Sequence, residues 1–315
     1  MWYRKKQMWY RKEEMLVMSD STLEEHVFTP LQEGIRPNIS KGRVLSQIGQ
    51  TIVFDARRNF KKFIAMILIN TIFIVLFLTI NLLQDQPPTE ATDYVVLSYL
   101  GFISFLILIT AILFGGSIIV EDFEKQTGNI LFPKIERGRL LVGRYVARFA
   151  LASISLGVFY AEAALLTYIN YDTIPGVMWE SLGWAILYLH LVLSFVVLMS
   201  ALLNRIATAQ VASLFFLLMV FNIVSSILIY TGSTIEPLFI LTYYGNIITA
   251  WFNMPPDKRY SDSNPLGGMG LGGDDRVFRF WSTPSAEGAI YGVIIYSAIL
   301  LVIAYLIYRV KQSKT

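Results

Sequence analysis

Cysteine is absent from this 315-residue chain, and histidine occurs only at His26 and His190. The first absence excludes disulfides and thiolate catalysis. The second leaves no His-Glu-x-x-His zinc motif, and neither a Walker-type phosphate loop nor a Gly-x-Ser-x-Gly nucleophile turn is present. An enzyme hydrolysing nucleotides or esters on its own is therefore not expected, and no metal site is assigned. Charge is scarce too: 16% of residues are charged against 55% hydrophobic, with a mean hydropathy of +0.54. That balance is too apolar for a soluble domain, so lipid must be the solvent for most of the chain. The first 20 residues carry five basic side chains but no apolar core of the length a signal peptide needs, so the first span is expected to direct insertion.

A hydrocarbon core of roughly 30 Å asks for about 20 apolar residues in a helix, with backbone polar groups bonded inside their own segment. Six segments qualify: 63–83, 94–120, 149–169, 181–203, 206–230 and 289–308. Only the third holds a formal charge, Glu162. Of the 26 Lys and Arg residues, 12 precede residue 63, 6 lie in 125–148, 1 is Arg205 and 3 follow Tyr308, while the short loops around Asp85 and Asp172 have none. The positive-inside rule then predicts that the N terminus, the 121–144 loop, the Arg205 turn and the C terminus are cytosolic, and a plasma-membrane location is expected. The net charge of +3 reads as topology and gives no case for nucleic acid.

Residues 1–43 are polar and aperiodic, as in a flexible cytosolic tail, and the near-duplicate MWYRK at Met1 and Met8 is too short to stack as a repeat. In 44–62, Leu45, Ile48, Ile52 and Ala56 recur at helical spacing among polar and basic residues. Either an amphipathic helix on the inner leaflet or a helical extension of the first span fits. The six-helix membrane domain is 63–315. Its second span, at about 40 Å of helix, is expected to project into the cytosol. Gly101, Ser104, Ala111 and Gly115 form a small-residue face on it that permits close helix contact.

Between the fifth and sixth spans, 235–252 is apolar enough to cross. A seventh crossing would place Arg309, Lys311 and Lys314 outside, against the charge rule, so this segment is expected to be re-entrant or interfacial, lining or closing an outward path. The run Gly267, Gly268, Gly270, Gly272 and Gly273 reads as a flexible external loop, and Asp257, Asp262, Asp274 and Asp275 do not have calcium-loop spacing.

Within the spans, Glu162, His190 and Asn222 each fall roughly 10–14 Å below the outer surface when counted from their span ends. They are candidates for a polar belt that hydrogen-bonds a passing substrate or holds an external gate, or for a network fixing helix register. Arg148, roughly 21 Å from Glu162 along one helix, is expected to snorkel to inner headgroups.

The segment VEDFEKQTGNILFPKIERGRLLVGRYVARF, residues 120–149, combines an acidic helix end, a Thr-Gly break, an apolar run closed by Pro133 and a basic cluster. It predicts a helix, a sharp turn, a second short helix and a return to the membrane, a knob that can transmit force. At these residues the chain resembles the type 2 ABC transporter permeases. Glu121, Glu124, Thr127, Gly128, Leu131, Pro133, Arg137, Leu141 and Gly143 fall at positions of the family pattern, although Thr-Gly stands where Gly-Thr is commoner and Glu136 where Ser is usual. The likeness extends over nearly the whole chain from Val44, including a re-entrant element around Pro237, Tyr243, Tyr244 and Asn246, with a flavour of the branch that includes multicopper-enzyme maturation permeases.

The resemblance implies an all-α exporter subunit, dimeric with itself or a homologue, seated on two copies of a separately encoded ATPase that carries ATP and Mg²⁺. It implies no cofactor on this chain. Glu124, Thr127 and Gly128 would form the coupling turn of a knob spanning Glu121 to Pro133 and Arg137, with Arg137 and Arg139 seating it. Two rivals are a self-contained secondary transporter, which needs intramembrane charges and broken helices in repeated halves, and an intramembrane enzyme using Glu162 and His190 as acid and base.

Overall fold

A 42-residue helix, α1, runs unbroken from Lys41–Leu82, so in the computed structural model residues 44–62 are an extension of the first span. That model describes residues 41–83, 88, 90–124, 136–230, 235–253, 259–263 and 278–311, and Gly42–Thr315 is one compact unit. The MWYRK duplicate, Thr127, Gly128, Leu131, Pro133, the glycine run, Asp257, Asp274 and Asp275 lie outside the described residues. The continuity of α1 follows from one buried stripe: Thr51, Asp55, Asn59, Met66, Asn70, Ile74 and Phe77 are all buried and recur every three, four or seven residues, the helical period. The stripe is polar in its first third and mostly apolar beyond, so its partner must change character at the same level.

That partner is α5, Arg137–Tyr171, which begins well before residue 149 and runs parallel to α1. Successive bonds fix the register: Arg139 to Gln47 at 2.8 Å, Arg148 to Asp55 at 2.8 Å and Asn70 to the Ser155 carbonyl at 3.0 Å. Gly143 makes the approach possible, since a Cβ there would meet Thr51 Cβ and Cγ2 at 2.8 Å. The helix stops at Asp172, whose φ of 53° is left-handed and whose amide bonds to the Tyr168 carbonyl at 2.8 Å, an αL cap of the kind Asp tolerates.

The second span, expected as one over-long helix, is interrupted twice. It comprises α2, Ala91–Ser98, a 3₁₀ turn at Leu100–Phe102, α3, Ile103–Gly115, and the short α4, Val120–Glu124. A hydropathy window counts apolar residues and cannot register a backbone break at Gly101 or at Gly115 and Gly116. The small-residue face is used for contact: a Cβ on Gly115 would meet Val196 Cγ1 at 2.9 Å, and Ala111 is fully buried. The partner there is α6, Val177–Leu202.

The fifth span is α7, Ile206–Phe215, a π-helical turn at Phe216–Val220 and α8, Phe221–Tyr230. After it come a 3₁₀ helix, Leu241–Asn246, and α9, Ile247–Asn253. The segment between the fifth and sixth spans also contains two four-residue antiparallel strands, β1, Tyr260–Ser263, and β2, Phe278–Trp281, with Tyr260 opposite Trp281. The last span is α10, Ala286–Lys311. Among the described residues, six helical segments are thus long and apolar enough to cross a membrane, and the chain is a multi-pass helical membrane protein. The most apolar windows of the second and fourth spans are 78% and 72% buried against 11% to 39% for the others, so those two form the bundle's centre.

Adding a side chain at Gly143 should force α1 and α5 apart. Gly143→Val is expected to cost about 1–3 kcal/mol, as overpacking does, and to lower the unfolding temperature in detergent. Gly157, with nothing within 4 Å of its Cβ position, is the control: Gly157→Ala should leave stability equal or higher. Equal behaviour of the two variants would refute the close contact.

Candidate functional site

The chemistry that stands out lies at the bundle end carrying α4 and the start of α5, the elbow end. Here Asp55, Glu121, Asp122, Arg144 and Arg148 are all buried, Arg148 with no exposed surface. A buried charge is tolerable only when paired and fully hydrogen-bonded, and each of these is. Arg148 donates from Nε to Asp55 Oδ2 at 2.8 Å and from Nη2 to Oδ1 at 3.3 Å, while its Nη1 reaches the Phe114 carbonyl at 3.0 Å and Ser117 Oγ at 2.8 Å. Glu121 lies 3.6 Å from Arg148 Nη2 and pairs with Arg58. Asn59 Nδ2 donates to Asp55 Oδ2 at 3.1 Å, and Lys62 Nζ to Ser117 Oγ at 3.1 Å.

Beside this group, Asp122 accepts two bonds of 2.8 Å from the Arg144 fork and one of 2.7 Å from Tyr308 Oη. The bidentate geometry is the strong form of carboxylate pairing. Glu124 is exposed, yet its Oε2 accepts the Ile206 amide at 2.7 Å, filling one of the donors that the start of α7 leaves unbonded. Ser200 Oγ accepts the Val120 amide at 3.0 Å. The five residues of α4 are therefore bonded to every other span: the first through Arg58, the third through Arg144, the fourth through Ser200, the fifth through Ile206 and the sixth through Tyr308. On the return limb, Arg139 bonds Gln47 and pairs with Glu136 at 2.9 Å, and Arg137 Nη1 donates to the Arg309 carbonyl at 3.2 Å.

The three belt candidates do not come together. Glu162 Oε1 accepts from Thr71 Oγ1 at 2.7 Å, and its buried Oε2 has no partner among the described residues. His190 Nδ1 lies 2.8 Å from Tyr145 Oη, which also reaches Ser194 Oγ at 3.0 Å. Tyr160 and Ser181 are bonded at 3.0 Å, which sets Glu162 level with the start of α6. His190, nine residues further along, lies about 13 Å deeper on a helical rise. Counting from assumed span ends misplaced it, because α5 runs on to Tyr171 and α6 already starts at Val177. The acid and base of the intramembrane-enzyme reading are thus on separate levels.

Asn222 is exposed, with Nδ2 on the Leu218 carbonyl at 2.6 Å. It lines a cleft of about 260 Å³ at the opposite end, with Ser104, Tyr188, Thr242, Tyr243 and Asn246 among its walls. The 235–253 segment is held there by Ser104 Oγ on the Gly245 carbonyl at 3.4 Å and Ser181 Oγ on the Ile248 carbonyl at 2.9 Å. Pro237, Tyr243 and Tyr244 are buried and Asn246 is exposed, its Nδ2 donating to the Ser282 carbonyl at 3.0 Å. Burial, and then the Glu236 carboxylate beside it, push the Tyr243 phenol above its ordinary value, so it stays a donor to Glu236 at 3.3 Å. Among the described residues no group of His, Asp and Glu could hold a metal ion.

Residues 36–312 match the family model described as ABC-2 family transporter protein. The chain belongs to that family. No curated protein matches it. As an ABC-2 family member it is a membrane-embedded transport subunit of an ABC transporter, and family members work with ABC ATPases. Of the elbow residues singled out from sequence, Glu121, Glu124, Arg137 and Arg139 are described. Asp55, Arg58, Asp122, Arg144 and Tyr308 were missed, and Arg148 is buried and paired where snorkelling was expected. A signal for them was present: Arg144 and Arg148 are four apart, with Gly143 and Ala147 beside them, which on one continuous helix is a close-contact face that cannot look into lipid.

Removing one member of this layer should be costly, because the partner is left charged and buried. Arg148→Met or Asp55→Leu alone is expected to lower unfolding free energy in micelles by about 3–5 kcal/mol. The double variant should recover only part, since Arg148 also serves the Phe114 carbonyl and Ser117. Strictly additive losses in that double-mutant cycle would mean the two do not interact.

Proposed function

We propose that this ABC-2 subunit is the permease of an ATP-driven exporter, paired with a second permease, identical or homologous, on two copies of a separate ATPase. Membrane lipids surround it. The observation that carries the reading is the attachment of α4 to all five other spans by side-chain bonds. A push on the knob beginning at Glu121 and returning through Arg137 and Arg139 is thereby delivered to the whole bundle at once. An isolated solvated loop would need none of these bonds.

The positive-inside rule places the elbow end, and with it both termini, in the cytosol of a plasma-membrane protein. The opposite cleft then faces outward, with Asn222, Tyr243 and Asn246 in its wall and 235–253 as a re-entrant element closing it. ATP and Mg²⁺ belong to the partner, because this sequence has no phosphate loop. By the family resemblance, Thr127 and Gly128 belong to the contact the ATPase receives. A transporter energised by ions is disfavoured on a physical ground: the intramembrane carboxylate Glu162 meets a hydroxyl rather than a second ionisable group.

Purifying the tagged full chain from its native membranes should recover a Walker-motif ATPase in near-equal amount. Gly128→Trp should cut that recovery at least tenfold while the thermal unfolding of the spans is unchanged. Consistent absence of any ATPase with the native chain, or full recovery with the altered turn, would overturn the reading.

A further inference from the structure

The second span breaks between Gly115 and Val120, and four of the backbone groups released there are taken up by side chains of other spans. In a continuous α-helix the amides of Ile118, Ile119, Val120 and Asp122 would bond to the carbonyls four residues earlier. Instead the Ile118 amide bonds to the Gly115 carbonyl at 3.0 Å and the Asp122 amide to the Ile119 carbonyl at 3.1 Å. The Phe114 and Ile118 carbonyls, deprived of those partners, accept from Arg148 Nη1 and Arg144 Nη1, both at 3.0 Å. The Ile119 and Val120 amides both donate to one atom, Ser200 Oγ, at 3.1 and 3.0 Å. Gly116 leaves room for the break, since a Cβ there would meet Gln210 Cγ at 2.5 Å and the Ile112 carbonyl at 2.9 Å.

Broken backbone inside a bundle survives only when side chains satisfy it. Here the amides of 118, 119, 120 and 122 and the carbonyls of 114 and 118 are bonded in both arrangements: in the broken one by tight turns, Ser200, Arg144 and Arg148, in the continuous one by the helix itself. Exchange between them strands none of these six groups, which is what a two-position element requires. Rewinding 116–119 from tight turns to α-helix shortens the segment by on the order of 2 Å, and α4 moves with it.

We infer that Ser200, with Arg144 and Arg148, is a positioning residue that holds the second span broken in this state, and that the break is the hinge through which the elbow drives the permease. This rests on the coupling role proposed for α4. Arg144 and Arg148 carry charge partners as well, so Ser200 is the residue whose hydrogen bonds to other spans, among the described residues, all go to the break.

The test uses the full chain with its co-purified ATPase in nanodiscs, comparing Ser200→Ala and Ser200→Thr. The alanine variant should bring down the ATPase in native amount. Its 119 and 120 amides should remain slow to exchange with deuterium, now bonded within a continuous helix, while the permease-dependent ATP turnover falls at least tenfold. Threonine, which keeps the hydroxyl, should restore turnover. Exchange at 119 and 120 faster by a thousandfold in Ser200→Ala would show a plain cap and overturn the hinge, as would native turnover in that variant. If no ATPase accompanies even the native chain, the coupling reading fails, and the exchange measurement still decides whether the break can close.

Discussion

A guanidinium with no exposed surface must find every partner inside the protein, and Arg148 imposes that demand on the rest of the bundle. Its charge requires Asp55, so α1 has to continue as helix far beyond the length needed to cross a membrane. Asp55 needs orienting, which Asn59 does from one turn away. The guanidinium can reach across only because Gly143 lets the two helices touch. Its remaining donors find the Phe114 carbonyl and Ser117 only because the second span is broken there. One buried cation thus links the long first helix, the missing side chain at 143 and the break at 115–120.

Arginine of this kind is poorly visible in a sequence. Any apolar-window reading counts Arg148 as a cost and pushes it toward the membrane surface, because the compensating carboxylate lies 93 residues away. The period was nevertheless there on both sides, in Thr51, Asp55 and Asn59 on one helix and Gly143, Arg144, Ala147 and Arg148 on the other. Six spans were legible because their length is set by the bilayer, and the fifth began at the expected Ile206. The small-residue face of the second span was legible because Ala111 and Gly115 recur at helical spacing.

Depth was not legible. Glu162 and His190 were placed on one level by counting from residues 169 and 181, yet α5 ends at Tyr171 and α6 starts at Val177. An error of three or four residues in a helix end is about 5 Å of depth, enough to bring together side chains that never meet. The two strands near Tyr260 and Trp281 were hidden for a different reason. Four-residue pairs flanking a glycine-rich run lack the alternation that marks a longer strand.

The two ends of the bundle are held by bonds of different strength, and that difference decides where it can open. At the elbow end, carboxylates and guanidiniums pair in full burial, and separating one such partner costs roughly 3–5 kcal/mol. At the opposite end most links are neutral, such as Tyr160 with Ser181 at 3.0 Å, Ser104 with the Gly245 carbonyl at 3.4 Å and Asn246 with the Ser282 carbonyl at 3.0 Å. Neutral bonds of that kind contribute about 1 kcal/mol each. Even the ion pair there, Arg259 with Glu236 at 3.4 Å, has a side chain 36% exposed on the arginine, which weakens it further. A displacement of α4 that preserves the ionic layer and breaks a few neutral links meets far less resistance than the reverse. A displacement of the elbow end relative to the cleft lined by Asn222, Tyr243 and Asn246 would therefore break the neutral links of the cleft before the ionic layer.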